Sequence, residues 1–192
     1  MRVNQSALVN GALTGQVTVI SGATLGGTGS ITGSTLITEN GLLAPGDGGT
    51  GTLTFNGDLD LSGAAGSFFP SFSFELGAAS DKVLLSSGTL NIGAGTLDFS
   101  DFSFLNQSGF GPGTYLLFDT STPITGSLGS GLTGTVAGLN ASLNLADNGH
   151  DLVLAVVPEP GTAALLLGGL AIWPALRRRT SRTPVRPIRQ VP

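Results

Sequence analysis

The sequence predicts an all-β fold, arranged either as a β-solenoid or as a β-sandwich, and followed by one short hydrophobic helix near the C-terminus. Glycine supplies 31 of the 192 residues, too many for a helical protein, because each glycine in a helix interior costs about 1 kcal/mol relative to alanine. Apolar and polar residues alternate in short runs, which is typical of half-buried strands. No apolar stripe with helical spacing occurs before Pro158.

The clearest alternation predicts a strand over residues 52–61. Its odd positions are apolar and its even positions are polar, so such a strand buries one face and exposes the other. The same pattern predicts strands around residues 72–76, 139–145 and 152–156. Shorter apolar pieces predict further strands at 17–20, 31–37, 83–85, 97–99, 102–105 and 115–118.

Turns rich in glycine and asparagine separate these runs. Two of them, residues 46–51 and 129–134, match the pattern G-x-G-x-x-G. A dinucleotide site requires this loop to open a helix whose N-terminus holds the pyrophosphate, whereas the first match continues directly into the predicted strand. Both matches are therefore interpreted as turns.

Charge and cysteine content restrict the possible functions. The chain has no cysteine, which excludes disulfides, thiolate metal sites and cysteine nucleophiles. Residues 1–157 hold eleven acids and two bases, a net charge of −9, and residues 158–192 hold one acid and six arginines, a net charge of +5. The first segment repels nucleic acid, so no nucleic-acid partner is expected. The second is attracted to an anionic membrane surface.

A resemblance favours the solenoid. The stretch "GATLGGTGSITGSTLITENGLLAPGDGGTGTLTFNGDLDL" at residues 22–61 resembles the autotransporter-associated β-strand repeats of bacterial surface proteins. The resemblance implies a body over residues 1–157 like a right-handed parallel β-helix. A β-sandwich stays the alternative for residues 62–157.

The first residues lack the features of an export signal. "MRVNQSALVNGALTGQ" has one basic residue but no apolar run of 7–15 residues. We therefore expect the N-terminal signal peptide to be missing from a shortened sequence.

Possible catalytic residues are few. The acid pairs Asp58/Asp60 and Asp98/Asp101 could serve a glycosidase or bind calcium, but a solvated strand face is the simpler interpretation. The single histidine, His150, is interpreted as a turn residue. The alternative function, an exported carbohydrate-active enzyme on a β-helix scaffold, would need basic and aromatic side chains, and residues 1–157 have one tyrosine and no tryptophan. No enzyme activity, cofactor or metal is expected.

The C-terminal segment predicts a membrane helix. Residues 162–176 carry no charge, and as a helix they would span roughly 22 Å at about 1.5 Å per residue, short of the roughly 30 Å hydrocarbon core. Arg177, Arg178 and Arg179 follow at once, and long basic side chains extend such a span by reaching the interface. The positive-inside rule places these arginines in the cytoplasm. A buried core helix, the alternative, does not explain the arginines.

The whole segment "VPEPGTAALLLGGLAIWPALRRR" resembles the PEP-CTERM sorting signal. It contains the triplet Pro158, Glu159 and Pro160, then the apolar run, then the arginine cluster, over residues 158–179. The resemblance implies processing by exosortase, a membrane-embedded enzyme of exopolysaccharide-producing Gram-negative bacteria. The basic tail 180–192 extends beyond the usual end of the family pattern and is expected to be disordered.

Together these features predict an exported structural or adhesive protein without enzymatic activity. It would be held in the inner membrane, transiently or stably, by residues 162–176. Its destination would be the cell surface or the extracellular matrix, with exopolysaccharide as a possible partner.

Overall fold

Strands joined by tight turns make up residues 1–158, the part of the chain that the computed structural model describes. Single-turn 3₁₀ helices occur at Phe99–Asp101 and Asp147–Gly149, and this part of the chain contains no α-helix. The first strands are β1 Arg2–Val3, β2 Ser6–Leu8, β3 Ala12–Thr14, β4 Val17–Val19, β5 Thr24–Gly27, β6 Ser30–Thr32, β7 Thr35–Ile37, β8 Leu42–Pro45, β9 Thr52–Asn56 and β10 Leu59–Asp60. The later strands are β11 Phe72–Leu76, β12 Lys82–Ser87, β13 Leu90–Leu97, β14 Phe102–Asn106, β15 Gly113–Thr120, β16 Thr125–Leu128, β17 Thr133–Val136, β18 Leu139–Ala146 and β19 Asp151–Val157. The predicted all-β body is confirmed.

The strands up to β16 rotate through three sheets, so that every third strand belongs to the same sheet. Sheet A has the order β1-β4-β7-β10-β13-β16, sheet B the order β2-β5-β8-β11-β14, and sheet C begins β3-β6-β9-β12-β15. All neighbours in these series are parallel. Parallel sheets of this kind are consistent with a solenoid-like body, in which each coil stacks on its neighbours, and differ from the antiparallel pairing of a β-sandwich.

The coils lengthen along the chain. In sheet C, Ala12 pairs with Ser30, which is 18 residues later. Ser30 pairs with Thr54, 24 residues later, and Thr54 pairs with Leu84 after a further 30. Part of the added length forms the loop of residues 61–71 between β10 and β11. The later coils therefore carry segments that the first coils lack.

Side chains of the core grow larger as the coils lengthen. Successive register positions of sheet B form one column, which consists of Ala7, Leu25, Leu43, Phe72 and Phe102. The ring centroid of Phe72 lies 5.1 Å from that of Phe102 and 6.3 Å from that of Phe118 on sheet C. Aromatic rings thus fill the longer coils, where aliphatic side chains fill the shorter ones.

The single strand predicted over residues 52–61 is in fact two strands in two sheets. β9 ends in sheet C and β10 begins in sheet A, with Gly57 and Asp58 at the corner between them. The predicted core positions are nevertheless right, since Leu53, Phe55, Leu59 and Leu61 are all fully buried. The corner takes an even number of residues, so the odd positions face the core on both sides of it.

Glycines stack at this corner from coil to coil. Gly15, Gly33, Gly57 and Gly88 each follow the sheet C strand of their coil. A Cβ atom on Gly57 would lie 2.7 Å from the carbonyl oxygen of Gly33, and one on Gly88 would overlap the main chain of Gly57. This close approach of main chains requires glycine and accounts for part of the high glycine content.

Replacing Gly88 with alanine is expected to destabilise the body. Gly88 has φ = +88°, a conformation that costs a residue with a side chain about 1–3 kcal/mol, and the overlap with Gly57 adds to this cost. Urea unfolding followed by circular dichroism measures the loss. Gly111→Ala is the matched control, because nothing lies within 4 Å of a Cβ atom there. Equal stability of the two variants would contradict the stacking of glycine corners.

Residues 133–157 depart from the coil pattern predicted for the whole of residues 1–157. β17, β18 and β19 form an antiparallel meander that joins sheet C beside β15, in the order β17-β18-β19-β15. Leu143, Leu152 and Leu154 of the meander are fully buried in the common core. The main chain of Gly134 packs so closely on the ring of Phe99 that a Cβ atom would overlap it. The meander therefore covers side chains of the last coils.

Candidate functional site

The acids of the pair Asp58/Asp60 bind the neighbouring coil. Oδ1 of Asp58 accepts hydrogen bonds from the main-chain nitrogen and the hydroxyl of Thr89, both at 2.9 Å. These bonds lower the pKa of Asp58. Oδ1 of Asp60 accepts from the main-chain nitrogen of Ser62 at 2.9 Å and from Nδ2 of Asn91 at 3.1 Å. Both carboxylates thus connect successive coils.

The acids of the pair Asp98/Asp101 lie in different environments. Asp101 is fully buried, and its carboxylate accepts from the main-chain nitrogens of Gly66 at 2.9 Å and Asp98 at 2.8 Å. Burial raises the pKa of Asp101, against the effect of these bonds. Asp98 accepts instead from the main-chain nitrogen of Gly131 at 2.8 Å. Each carboxylate therefore fixes a different loop.

His150 follows the 3₁₀ turn Asp147–Gly149, as the turn interpretation predicts. Its Nδ1 lies 3.0 Å from the main-chain oxygen of Thr120. Nearby, Lys82 and Asp119 form an ion pair at 3.1 Å. The ring nitrogen of His150 is thus engaged by the main chain rather than aimed at a hydroxyl nucleophile.

The predicted sorting residues lie at and beyond the end of the described chain. Pro158 is exposed and directly follows β19. Glu159, Pro160, the helix predicted over residues 162–176, Arg177–Arg179 and the tail 180–192 lie outside the described residues. Within residues 1–158, none of the helices has the length and apolar character that a membrane crossing requires.

Two adjacent phenylalanines project from residues 61–71, which we name the aromatic loop. The side chain of Phe68 is 88% exposed and that of Phe69 is 61% exposed. Their rings meet edge to face, with centroids 4.9 Å apart. Neither ring is buried by packing against other described residues. Exposed apolar patches commonly mark interaction sites.

Hydrogen bonds hold the aromatic loop on both sides of its two phenylalanines. Near its middle, Gly66 donates to the buried carboxylate of Asp101, as described above. At its end, the main-chain nitrogen of Ser71 donates to the main-chain oxygen of Asp101 at 2.9 Å. The hydroxyl oxygen of Ser67 accepts from the main-chain nitrogen of Asn40 at 3.3 Å. The loop is therefore fastened to the preceding and following coils.

A groove of about 400 Å³ runs beside the aromatic loop. Its lining combines one aromatic wall with hydroxyl and amide groups from the turns of earlier coils, and it includes Phe69, Pro70, Ser21, Thr24, Asn40 and Leu42. None of the lining residues carries a charge. The buried Oδ1 atom of Asn40 accepts no hydrogen bond from the described residues, so the fold itself leaves this amide oxygen unused.

The aromatic loop was not predicted as a site from the sequence. A signal was present, because residues 61–71 interrupt the alternation and contain two consecutive phenylalanines. Neighbouring residues of a strand point to opposite faces, so such a pair cannot lie wholly in the core.

Asp81, which was not predicted from the sequence either, is a buried acid that joins strand β11 to the turn before β9. It is 1% exposed, and its carboxylate accepts from the main-chain nitrogens of Gly51 and Glu75, both at 2.7 Å. Burial raises the pKa of Asp81 to about 6, while the two bonds oppose that rise and the charge of Glu75 adds to it.

Comparison with known proteins does not assign the chain. No family model matches it, and no curated protein is a significant match. Its function is therefore inferred from the residues and from their arrangement.

Proposed function

We propose that the chain is an exported cell-surface or extracellular-matrix protein with a structural or adhesive role. The observation that carries the proposal is the order of three features near the C-terminus, namely the triplet at residues 158–160, the uncharged run at 162–176 and Arg177–Arg179. This order resembles the PEP-CTERM signal. Exosortase would read the triplet while the apolar run lies in the membrane, and the acidic body would lie across the membrane from the arginines.

The environments of the acids favour a structural body over an exported carbohydrate-active enzyme. A glycosidase needs two carboxyl groups that face the bond to be cleaved. Here Asp58, Asp98 and Asp101 each accept hydrogen bonds from the main chain of another coil or loop. These acids are used to fasten one coil to the next.

Two finer features of the architecture belong to the same proposal. The coils are right-handed, as are about 98% of crossover connections between parallel strands of one sheet. The short hydrophobic helix expected over residues 162–176, which lie outside the described residues, is the other.

Deleting residues 158–192 is expected to move the protein from the membrane fraction to the soluble exported fraction, because the deletion removes both the apolar run and the arginines. The protein is expressed behind a cleavable export signal in a bacterium that has an exosortase, and its fractions are compared by immunoblotting. A deletion variant that stays with the membrane would refute the proposed role of the segment.

A matched variant separates anchoring from processing. Changing Pro158, Glu159 and Pro160 to alanine keeps the apolar run and the arginines. This variant is expected to stay in the membrane at its full, unprocessed length. Processing identical to that of the unmodified chain would show that the triplet is not read.

A further inference from the structure

We infer that the aromatic loop and the groove beside it form a binding site for a neutral polysaccharide. The inference rests on the proposed function, because it names the chemical class that an exported matrix protein of this kind would bind. The sorting segment takes no part in the site, which lies wholly within the described residues.

The exposed rings provide the apolar part of the site. One face of a pyranose ring presents mainly C–H groups, and such a face packs on the flat surface of an aromatic ring. The interplanar angle between Phe68 and Phe69 is 88°, so the pair presents ring surfaces in two directions. Removing these rings from water on binding is favourable, because 88% and 61% of the two side chains are exposed.

The groove provides the polar part. Sugar hydroxyls act both as donors and as acceptors, and two hydroxyl residues that can do the same, Ser21 and Thr24, line the groove. Asn40 also lines it, but its Oδ1 atom is buried and is not one of these groups. Its volume of about 400 Å³ falls within the range of about 300–1,000 Å³ that is usual for ligand sites. An aromatic wall beside a few polar groups is the usual composition of such a site.

Charge selects a neutral ligand over an anionic one. The lining of the groove is uncharged, so it offers no cation to a uronate or sulfate group. The surrounding body, residues 1–157, has a net charge of −9. One of its two bases, Lys82, is already paired with Asp119. An anionic polymer would therefore be repelled from this part of the chain.

The loop is ordered before any ligand arrives. Its bonds to Asp101 and Asn40 fix residues on both sides of Phe68 and Phe69. A ligand that meets a fixed loop does not have to order it, and this lowers the entropic cost of binding. Asp101 is accordingly a positioning residue for the site, not a contact residue.

Replacing Phe69 with alanine is expected to weaken binding to a neutral polysaccharide at least tenfold, because Phe69 belongs both to the exposed pair and to the groove wall. The full chain in a mild non-ionic detergent is run in native gels that contain dextran, mixed-linkage β-glucan or galactomannan, and dissociation constants are taken from its retardation. Phe68→Ala is expected to act in the same direction. In gels that contain alginate, Phe69→Ala is expected to leave mobility unchanged.

Leu145→Ala is the matched control. Leu145 is a large apolar side chain, 40% exposed, on β18, and its loss is expected to leave retardation unchanged. The urea midpoints of Phe68→Ala and Phe69→Ala should equal that of the unmodified chain, since both residues are largely exposed. Retardation by none of the three neutral polymers, or retardation that Phe69→Ala does not reduce, would overturn the inference.

Flotation with phosphatidylcholine vesicles, carried out on the chain without residues 158–192 so that the proposed membrane segment does not itself bind the vesicles, tests the competing possibility that the two rings insert into a membrane. If Phe68→Ala and Phe69→Ala reduce vesicle binding but not retardation by neutral polymers, the loop is a membrane wedge and the inference is wrong. Failure here is distinguishable from failure of the proposed function, because deleting residues 158–192 tests sorting without altering the aromatic loop.

Discussion

Replacing Phe74 with alanine is expected to lower the free energy of unfolding by about 3–5 kcal/mol, the usual cost of removing a buried phenylalanine. Phe74 is fully buried on β11 of sheet B. Its ring centroid lies 5.6 Å from that of Phe118 on sheet C and 6.2 Å from that of Phe102 on β14. The ring therefore joins two sheets and two coils, and its loss leaves a cavity between them.

The neighbouring coils restrict collapse of that cavity. Phe74 stands in register with Phe104 on β14, so inward movement of one strand would break parallel hydrogen bonds to the next. In a stacked architecture each coil is stabilised mainly by its neighbours. Destabilisation should therefore be greatest in the coils around β11 and β14, which hydrogen exchange can resolve along the chain.

Phe69→Ala is the control for this experiment, because it removes the same side chain from an exposed position in the preceding loop. Exposed substitutions usually change stability by less than about 0.5 kcal/mol. Urea unfolding followed by circular dichroism compares the two variants. A loss below about 1.5 kcal/mol for Phe74→Ala would show that the aromatic core is loosely packed.

Much of the core could be predicted from the sequence because alternation is a local property. Phe72, Phe74 and Leu76 were predicted to share one face, and all three are fully buried. The alternation of apolar and polar residues predicts which side chains face the core, but it does not predict to which sheet a strand belongs. For that reason the corner at Gly57 and Asp58 was not predicted, although the residues on both sides of it were placed correctly.

The antiparallel meander could not be predicted either. The sequence of β18 alternates as those of the parallel strands do, and the direction of pairing depends on long-range partners. The resemblance to known repeats did not separate residues 133–157 from the coils before them. The lengthening of the coils could not be predicted either, because it depends on loops whose sequences have no regular pattern.

The candidate site was missed for a related reason. From the sequence, tyrosine and tryptophan were the expected carbohydrate platforms, whereas the exposed rings are Phe68 and Phe69. Exposure depends on the path of the aromatic loop, which is set by hydrogen bonds to Asp101 and Asn40 in other coils. The sorting segment at residues 158–179 is the opposite case, because its evidence lies in a linear order of residues, and it stays a prediction.

The body is expected to be more stable at pH 4.5 than at pH 7.0. Burial raises the pKa of Asp81 from 3.8 to about 6, so between these values the folded chain binds more protons than the unfolded chain. The free energy of unfolding therefore falls as the pH rises through this range. Between pH 4.5 and 7.0 the difference is on the order of 2 kcal/mol, because the slope of about 1.4 kcal/mol for each pH unit applies only from pH 4.5 to about 6.

Other acids act mostly in the same direction. Burial also raises the pKa of Asp101 and of Asp151, and the nearby charges of Asp119 and Asp147 contribute to the rise at Asp151. Asp58 is the opposite case, since hydrogen bonds from Thr89 lower its pKa. The stability that the Asp58 carboxylate contributes is lost only as the pH falls below the ordinary pKa of an aspartate, so it does not reverse the trend between pH 4.5 and 7.0.

Asp81→Asn tests the assignment of this pH dependence to one residue. The amide cannot ionise, so the difference in urea midpoint between pH 4.5 and 7.0 should shrink markedly. The carboxylate of Asp81 accepts hydrogen bonds from the N–H groups of Gly51 and Glu75. In the variant, the Nδ2 group of the asparagine would face one of these two donors and leave it unpaired, and an unpaired buried donor costs about 1–3 kcal/mol. Relative to the unmodified chain, the variant should therefore lose more stability at pH 4.5 than at pH 7.0. Glu39→Gln, at an exposed turn, is the control and should keep the pH dependence of the unmodified chain. If the unmodified chain were more stable at pH 7.0, or if Asp81→Asn kept the same dependence, Asp81 would not be the buried acid that sets the response.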